Sequence, residues 1–239
     1  MPPWYVRKIL LYVGTYSALL LLVECQQFDV LKITDVAFPS SNKHFAAHAK
    51  IAYKDNVSEY TICYRHLVES YNDGYYTPVH LTKDTFSHRI FPPGLGGING
   101  FTGSIVGVKR NIPGGGLGNK RLPGSMWPVF PKDIDISKWY HMCLSYSSTL
   151  QHVHMYMDSF HVFSYTYEDP REDPLPSDAF EEIFFGKNMR GLITDVQIYN
   201  SYMDEETLAA QTKGCNNKPG EIFSWDEKKL NITQVMNIL

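Results

Sequence analysis

The residues most suggestive of chemistry are four cations placed around a glycine-rich segment. This segment, Gly114-Gly115-Gly116-Leu117-Gly118, is followed by Trp127. The cations form two dibasic pairs, Lys109-Arg110 and Lys120-Arg121. Backbone N–H groups of such a loop can hold an anion that nearby cations attract, and an indole ring can stack on a sugar. These residues are therefore candidates for binding an anionic glycan; the alternative is a solvated loop without a ligand.

Other groupings resemble catalytic motifs but lack an essential part. The glycine-rich segment is not followed by a Gly-Lys-Ser/Thr step, so it is not a nucleotide phosphate loop. The acidic run at 168–174 contains carboxylates, which a glycosidase holds rigidly in pairs. However, Pro170, Pro174 and Pro176 prevent a central strand there, and a solvated loop is predicted. With no nucleophile elbow or Cys–His pair evident from spacing, we expect no enzymatic activity and assign no catalytic residue.

A pair of histidines could contribute to a metal site. His152 and His154 alternate with Val153, so both imidazoles face one side of a strand. A structural zinc site needs four ligands, and the sequence identifies no third or fourth. We therefore expect no metal site and no cofactor.

The elements that must position these residues are mostly β-strands. Apolar and polar residues alternate with a period of two at 59–65, 140–146, 153–158 and 191–199. Residues 147–151 are typical of a turn that joins two of these strands into a hairpin. Many short strands punctuated by glycine and proline favour an all-β antiparallel sandwich.

One helix and one long loop region complete the predicted architecture. Asp204–Gln211 has acidic residues in its first turn and ends near Gly214, which predicts a short helix. Residues 92–131 are rich in glycine and proline and predict long surface loops around a middle strand at Phe101–Lys109. There are no internal repeats and no linker, so we expect a single domain over 26–239.

The first residues indicate secretion. Arg7 and Lys8 precede an apolar stretch, Ile9–Val23, with a cleavage position expected after Cys25. The alternative is a membrane anchor, but the stretch is shorter than the roughly 20 residues that a spanning helix needs. Residues 1–25 are therefore predicted to be a signal peptide, and the protein is expected to be extracellular without a membrane span.

Charge, cysteines and sequons fit that location. The formal net charge is −3, whereas a nucleic-acid-binding protein normally has a basic excess or a basic face. If Cys25 leaves with the leader, three of the four cysteines remain, which predicts one disulfide and one leftover thiol outside the cell. Asn56 and Asn231 begin Asn-X-Ser/Thr sequons and are candidate glycosylation sites.

Five segments in order resemble the pentraxin family, over roughly Val36 to Asp226. They are an opening Phe-Pro strand, a strand with the first cysteine, a Trp-Tyr-His-Met-Cys hairpin, a late strand with a short helix, and a closing glycine-to-tryptophan strand. In this chain they stand at Phe38–Ser41, Tyr60–Arg65, Trp139–Asp158, Gly191–Glu206 and Gly214–Trp225. Laminin-G domains share the hairpin and the late strand.

The resemblance implies a two-sheet jelly roll, a disulfide between Cys63 and Cys143, and ligand recognition without catalysis. It does not extend to calcium. Where pentraxins carry an acidic calcium-binding loop, this chain has only Phe185–Arg190 with the basic Lys187. Calcium needs six to eight oxygen ligands with carboxylates among them, so calcium binding is possible but not expected.

Together these observations predict a secreted, non-catalytic recognition protein. Its ligand would be a glycan, a lipid headgroup or an extracellular protein, bound without calcium, and the protein could form a homo-oligomer. The alternatives are an extracellular hydrolase on a lectin-like fold, or a structural or adhesion partner linked to another chain through Cys215.

Overall fold

The structure is a computed structural model of the chain. It describes residues 30–33, 45–71, 76–82, 86–91, 103–108, 137–166, 180–214, 218–225 and 231–232. Within these ranges, no helix is both long and apolar enough to cross a membrane.

The described residues form two antiparallel sheets and one short helix, which confirms the predicted jelly-roll sandwich. Seven strands make the larger sheet, in the order β1-β11-β3-β7-β8-β9 with β12 beside β11. Their bounds are β1 Leu31–Ile33, β3 Glu59–Tyr71, β7 Trp139–Ser147, β8 His152–Met157, β9 Phe160–Thr166, β11 Met189–Tyr199 and β12 Phe223–Ser224.

Six strands make the smaller sheet, in the order β13-β2-β10-β4-β5-β6. Their bounds are β2 Ala47–Lys50, β4 Thr77–Leu81, β5 Phe86–Phe91, β6 Gly103–Val108, β10 Glu182–Lys187 and β13 Asn231–Ile232. The strand predicted at Phe101–Lys109 is thus confirmed as β6, which pairs with β5.

The core lies between the two sheets and follows the predicted alternation. Tyr60, Ile62 and Tyr64 of β3 point into it and are at most 1% exposed. Val79 and Phe185 contribute from the smaller sheet and are fully buried. Because burying one large apolar side chain stabilises the fold by about 1.5–3 kcal/mol, this alternation fixes which face of each strand is internal.

The strand β11 departs from the simple alternation predicted for 191–199. Its pairing with β3 shifts register between Thr194 and Gln197, and Asp195 has a positive φ of 52°. This β-bulge inserts one residue, so Ile193 and Val196 both face the core although they are three positions apart. The sequence prediction, which placed them on opposite faces, was wrong because a bulge reverses the parity of every residue after it.

The helix α1, Glu205–Lys213, covers the outer face of the larger sheet. Its first residue follows Asp204, whose carboxylate accepts a hydrogen bond from Thr207 N at 2.8 Å, as an N-cap does. Leu208 is fully buried and packs against Cys63 and Cys143. The helix predicted at 204–211, ending near Gly214, is confirmed.

The disulfide that the resemblance implied is present. Cys63 of β3 and Cys143 of β7 are direct cross-strand partners, with their Cα atoms 4.1 Å apart and a sequence separation of 80. The bridge joins two central strands on the face that α1 covers. It therefore holds together the two strands that carry residues of the outer face.

A single residue, Asn188, links β10 of the smaller sheet to β11 of the larger sheet. Asn188 has a φ of 56°. Gly186 has a φ of 64°, a backbone conformation that residues with a Cβ rarely adopt. This is the short, basic connection predicted where pentraxins carry a calcium loop.

Several sequence predictions concern residues that the structure does not describe. These include the signal peptide at 1–25, the acidic run at 168–174 and Cys215. They also include the candidate glycan-binding residues Lys109, Arg110, Lys120, Arg121 and Trp127. Of the two sequon asparagines, Asn56 is exposed. Asn231 lies in β13, where it pairs with His48 of β2.

Candidate functional site

A cleft of about 680 Å³ opens on the outer face of the larger sheet, beside the C-terminal end of α1. Strands contribute its floor, a hairpin turn one wall and the helix another. The lining residues are Val30, Arg65, Trp139, Tyr140, His141, Asp158, Ser159, Thr194, Thr212 and Lys213.

An ion pair holds the floor of the cleft in place. Arg65 Nε lies 3.1 Å from Asp195 Oδ2, and the Asp195 side chain is only 2% exposed. The Arg65 guanidinium also donates to the backbone carbonyl of Gly214, just after α1. Since a buried carboxylate needs a partner, Arg65 satisfies the bulge residue and at the same time ties the helix to the sheet.

His141 lies beneath the helix as a neutral imidazole. Its Nδ1 donates to the carbonyl of Thr212 at 3.2 Å, and the residue is 3% exposed. Burial, with a smaller contribution from the nearby Arg65 charge, lowers the pKa of His141 to about 3. The charges at the cleft therefore come from Arg65, Asp158 and Lys213.

The turn between β8 and β9 forms one wall. Asp158 and Ser159 have φ values of 47° and 70°, which is the two-residue type I′ geometry that suits a hairpin. Asp158 Oδ1 accepts from His141 N at 2.9 Å, and Ser159 N donates to Thr212 Oγ1 at 2.8 Å. These bonds fix the turn against both the sheet and the helix.

An exposed aromatic residue stands at the start of β7, beside these polar groups. The side chain of Trp139 is 39% exposed, whereas the next residue, Tyr140, is buried. An indole combines a large apolar face with one N–H donor. It can thus pack against an apolar ligand face while nearby polar atoms bind hydroxyl groups.

Among its described residues, the cleft does not present the pair of carboxylates that glycoside hydrolysis uses. Among the described residues that line it, Asp158 is the one carboxylate, whereas glycosidases use two carboxyl groups on either side of the bond. What the arrangement offers is hydrogen bonding, charge and an aromatic surface.

A second cluster lies at the opposite, N-terminal end of α1. Ring nitrogens of His152 and His154 and a carboxylate oxygen of Glu205 all lie within 4.8 Å of one another. Burial lowers the pKa of both histidines. The structure thus places a carboxylate beside the histidine pair that the sequence had singled out.

The cysteines and His141 also lie close together, but they are not a metal site. Cys63, His141 and Cys143 form a buried group. The two sulfur atoms are bonded to each other, and a cysteine binds a metal as a free thiolate.

Sequence reasoning did not identify the cleft. Arg65, Trp139 and His141 lie within the segments that carry the pentraxin resemblance, but nothing in their spacing places them beside Thr212 of a later helix. The signal that could have pointed to it was Trp139, which opens β7 and is exposed.

Comparisons with known proteins show the fold. No protein-family model matches the chain, and no curated protein matches it. Among solved structures, a native heptameric SAP-like pentraxin from Limulus polyphemus is similar over 90% of this chain and 95% of its own, at 13% identity and a TM-score of 0.60.

Two larger proteins contain a similar domain. A Bacteroides ovatus protein assigned a carbohydrate-binding role matches 83% of this chain at 13% identity and a TM-score of 0.52, and this chain spans about half of it, 51%. The extracellular region of zebrafish Gpr126/Adgrg6 matches 87% at 12% identity and a TM-score of 0.51, and this chain spans 26% of it. At these identities the similarity establishes that the chain has a pentraxin-like jelly-roll fold.

Proposed function

We propose that this protein is a secreted, non-catalytic recognition protein that binds a glycan in the cleft at the C-terminal end of α1. The observation that carries the proposal is the exposed Trp139 beside a rigid, polar cleft with a single described carboxylate. One face of a sugar ring would stack on the indole, and its hydroxyl groups would bond to Asp158 and Lys213.

The rigidity of the cleft supports a binding role. The disulfide between Cys63 and Cys143 joins the two strands beneath it, and the Asp158–Ser159 turn is bonded to both sheet and helix. A preformed site loses little conformational entropy when it binds, so more of the contact energy appears as affinity.

The charges favour a glycan that carries hydroxyl groups and an anionic substituent. The Arg65 guanidinium is already engaged by Asp195 and Gly214, so Lys213, exposed in the last turn of α1, is the cation best placed to meet a ligand. The carboxylate of Asp158 would accept from hydroxyl groups. The loop cations Lys109, Arg110, Lys120 and Arg121, with Trp127, are proposed as a second contact region for anionic glycans.

Location, calcium independence and assembly belong to the same proposal. The disulfide is of the kind that persists outside the cell, which supports a signal peptide at 1–25 and a single mature domain at 26–239. Calcium independence is supported by the one-residue link at Asn188 between β10 and β11, where Lys187 and Arg190 lie on either side. A homo-oligomer is also proposed, since the Limulus pentraxin of this fold is described as heptameric.

A glycan array, probed with and without a calcium chelator, tests the proposal. We expect a defined set of glycans to bind equally in both conditions, and Trp139→Ala and Asp158→Asn to remove that signal. Phe160→Ala is the matched control, because Phe160 is a 53% exposed aromatic at the same end of the sheet that does not line the cleft. If wild type binds no glycan, or if all three variants bind as wild type does, the proposal is wrong.

A further inference from the structure

We propose that His152, His154 and Glu205 form a binding site for a divalent transition-metal ion, and that zinc is the ion best matched to it. The site is separate from the cleft, since it lies at the other end of α1. It does not depend on the proposed glycan binding.

The fold brings the three ligands together from two elements. His152 and His154 are alternate residues of β8, so both side chains lie on the outer face of the larger sheet. Glu205 is the first residue of α1, which crosses that same face. One ring nitrogen of each histidine and one carboxylate oxygen lie within 4.8 Å of one another. Tetrahedral zinc holds its N and O ligands at about 2.0–2.2 Å. A modest rotation of the exposed Glu205 side chain would bring its carboxylate to that distance from the ion.

The protonation of His154 is the strongest sign of a ligand. Its Nε2 donates to the carbonyl of Met203 at 2.7 Å, because that carbonyl oxygen can only accept. Nδ1 of this neutral ring then carries a lone pair. The residue is 0% exposed, and its buried Nδ1 has no hydrogen-bond partner among the described residues. A buried acceptor without a partner costs about 1–3 kcal/mol, which a metal ion at Nδ1 would offset.

Neighbouring groups orient the ligands as outer-shell partners of a metal site do. A ligating histidine typically donates its second ring N–H to a backbone carbonyl or carboxylate, and the His154–Met203 bond has this form. His152 Nδ1 shares a hydrogen bond with the Tyr202 hydroxyl at 2.9 Å. The Tyr202 ring also stacks on His154, with centroids 5.1 Å apart.

Charge at this end of the helix also favours a cation. The N-terminus of a helix carries a partial positive charge, but Asp204, Glu205 and Glu206 place three carboxylates there. Two imidazoles and one carboxylate are the ligand types of zinc, with a fourth position open to water. Calcium and magnesium instead require oxygen ligands, so the site should discriminate against them.

Isothermal titration of the metal-free protein with Zn²⁺ tests the proposal. We expect one ion per chain, and no displacement by millimolar calcium or magnesium. Glu205→Gln and His152→Gln should each weaken zinc binding by at least about 10-fold, the lower end of the loss seen even for outer-shell partners. Glu205 is exposed, so its substitution leaves the fold intact and keeps the test valid if a His154 variant fails to fold.

Two matched controls decide whether the binding is specific. Glu206→Gln removes the same charge from the same helical turn, and His48→Gln removes a histidine from β2 of the smaller sheet. Both should bind zinc as wild type does. A stoichiometry other than one, an unchanged affinity in Glu205→Gln, or an equal loss in either control would overturn the proposal.

Discussion

The buried side chain of His66 should make the stability of the folded protein sensitive to acid. Its ring is 1% exposed and stands among the rings of Tyr64, Tyr76 and Tyr140 at centroid distances of 5.7, 6.3 and 6.0 Å. Neither ring nitrogen has a hydrogen-bond partner in the part of the chain that the structure describes. Burial lowers the pKa of His66 from 6.5 to about 3, so the folded protein keeps this side chain neutral.

The magnitude follows from proton linkage. Between pH 6.5 and pH 3 the unfolded chain binds a proton at this residue and the folded protein does not, so stability falls as pH falls through that window. One pKa unit is worth 1.36 kcal/mol, and His66 should therefore reduce the free energy of unfolding by about 2 kcal/mol between pH 7.5 and pH 5. The loss becomes negligible above about pH 7.5 and levels off below about pH 3.

Replacing His66 with Leu, a residue of similar volume, should remove this dependence. Urea unfolding of wild type and His66→Leu at pH 7.5, 6.5, 5.5 and 5.0 measures the difference. We expect the variant to be at least as stable at pH 7.5, since it loses two unsatisfied buried nitrogens, and its advantage to grow by about 2 kcal/mol by pH 5. Parallel curves for the two proteins, with a constant difference at every pH, would show that His66 is not held neutral by burial.

Three further predictions concern other parts of the molecule. Replacing both Cys63 and Cys143 with Ala should lower the free energy of unfolding by about 4 kcal/mol, the value expected for a disulfide that closes a loop of this length. Denaturant unfolding measures the difference, and a loss below about 1 kcal/mol would contradict the prediction. Arg65→Leu should cost about 3–5 kcal/mol because it removes the cation that pairs with the buried Asp195 carboxylate. Adding Asp195→Asn should recover part of that loss. Thermal unfolding of the single and double variants compares them, and no recovery would show that the ion pair is not the cause. A variant in which four loop cations are replaced with serine should elute from a heparin column at lower salt than wild type; the four are Lys109, Arg110, Lys120 and Arg121. Coincident elution would refute glycan binding by that loop.

Much of the fold could be predicted because its signals are local. The period-two alternation at 59–65 required one face of that strand to be buried, and Tyr60, Ile62 and Tyr64 are in the core. Acidic residues before a run of helix formers were sufficient to predict α1. The bulge at Asp195 could not be predicted, because a positive φ at a non-glycine residue depends on the Arg65 and Gln197 side chains that bond its carboxylate.

The sites were less predictable because they depend on contacts distant in sequence. Thr212 bonds to Ser159 across 53 positions, and Glu205 follows His154 by about 50 residues yet lies beside it. A single sequence contains no record of such distances. The histidine pair was visible in the sequence, whereas its third ligand became apparent only when α1 was placed on the sheet.

The most direct test of glycan recognition in the cleft is an NMR titration of the protein with the strongest glycan from the array. We predict that the indole N–H signal of Trp139 and the backbone amides of Ser159 and Lys213 shift together and saturate at one glycan per chain. Saturable shifts confined to other parts of the protein, with these three signals unchanged, would contradict the account.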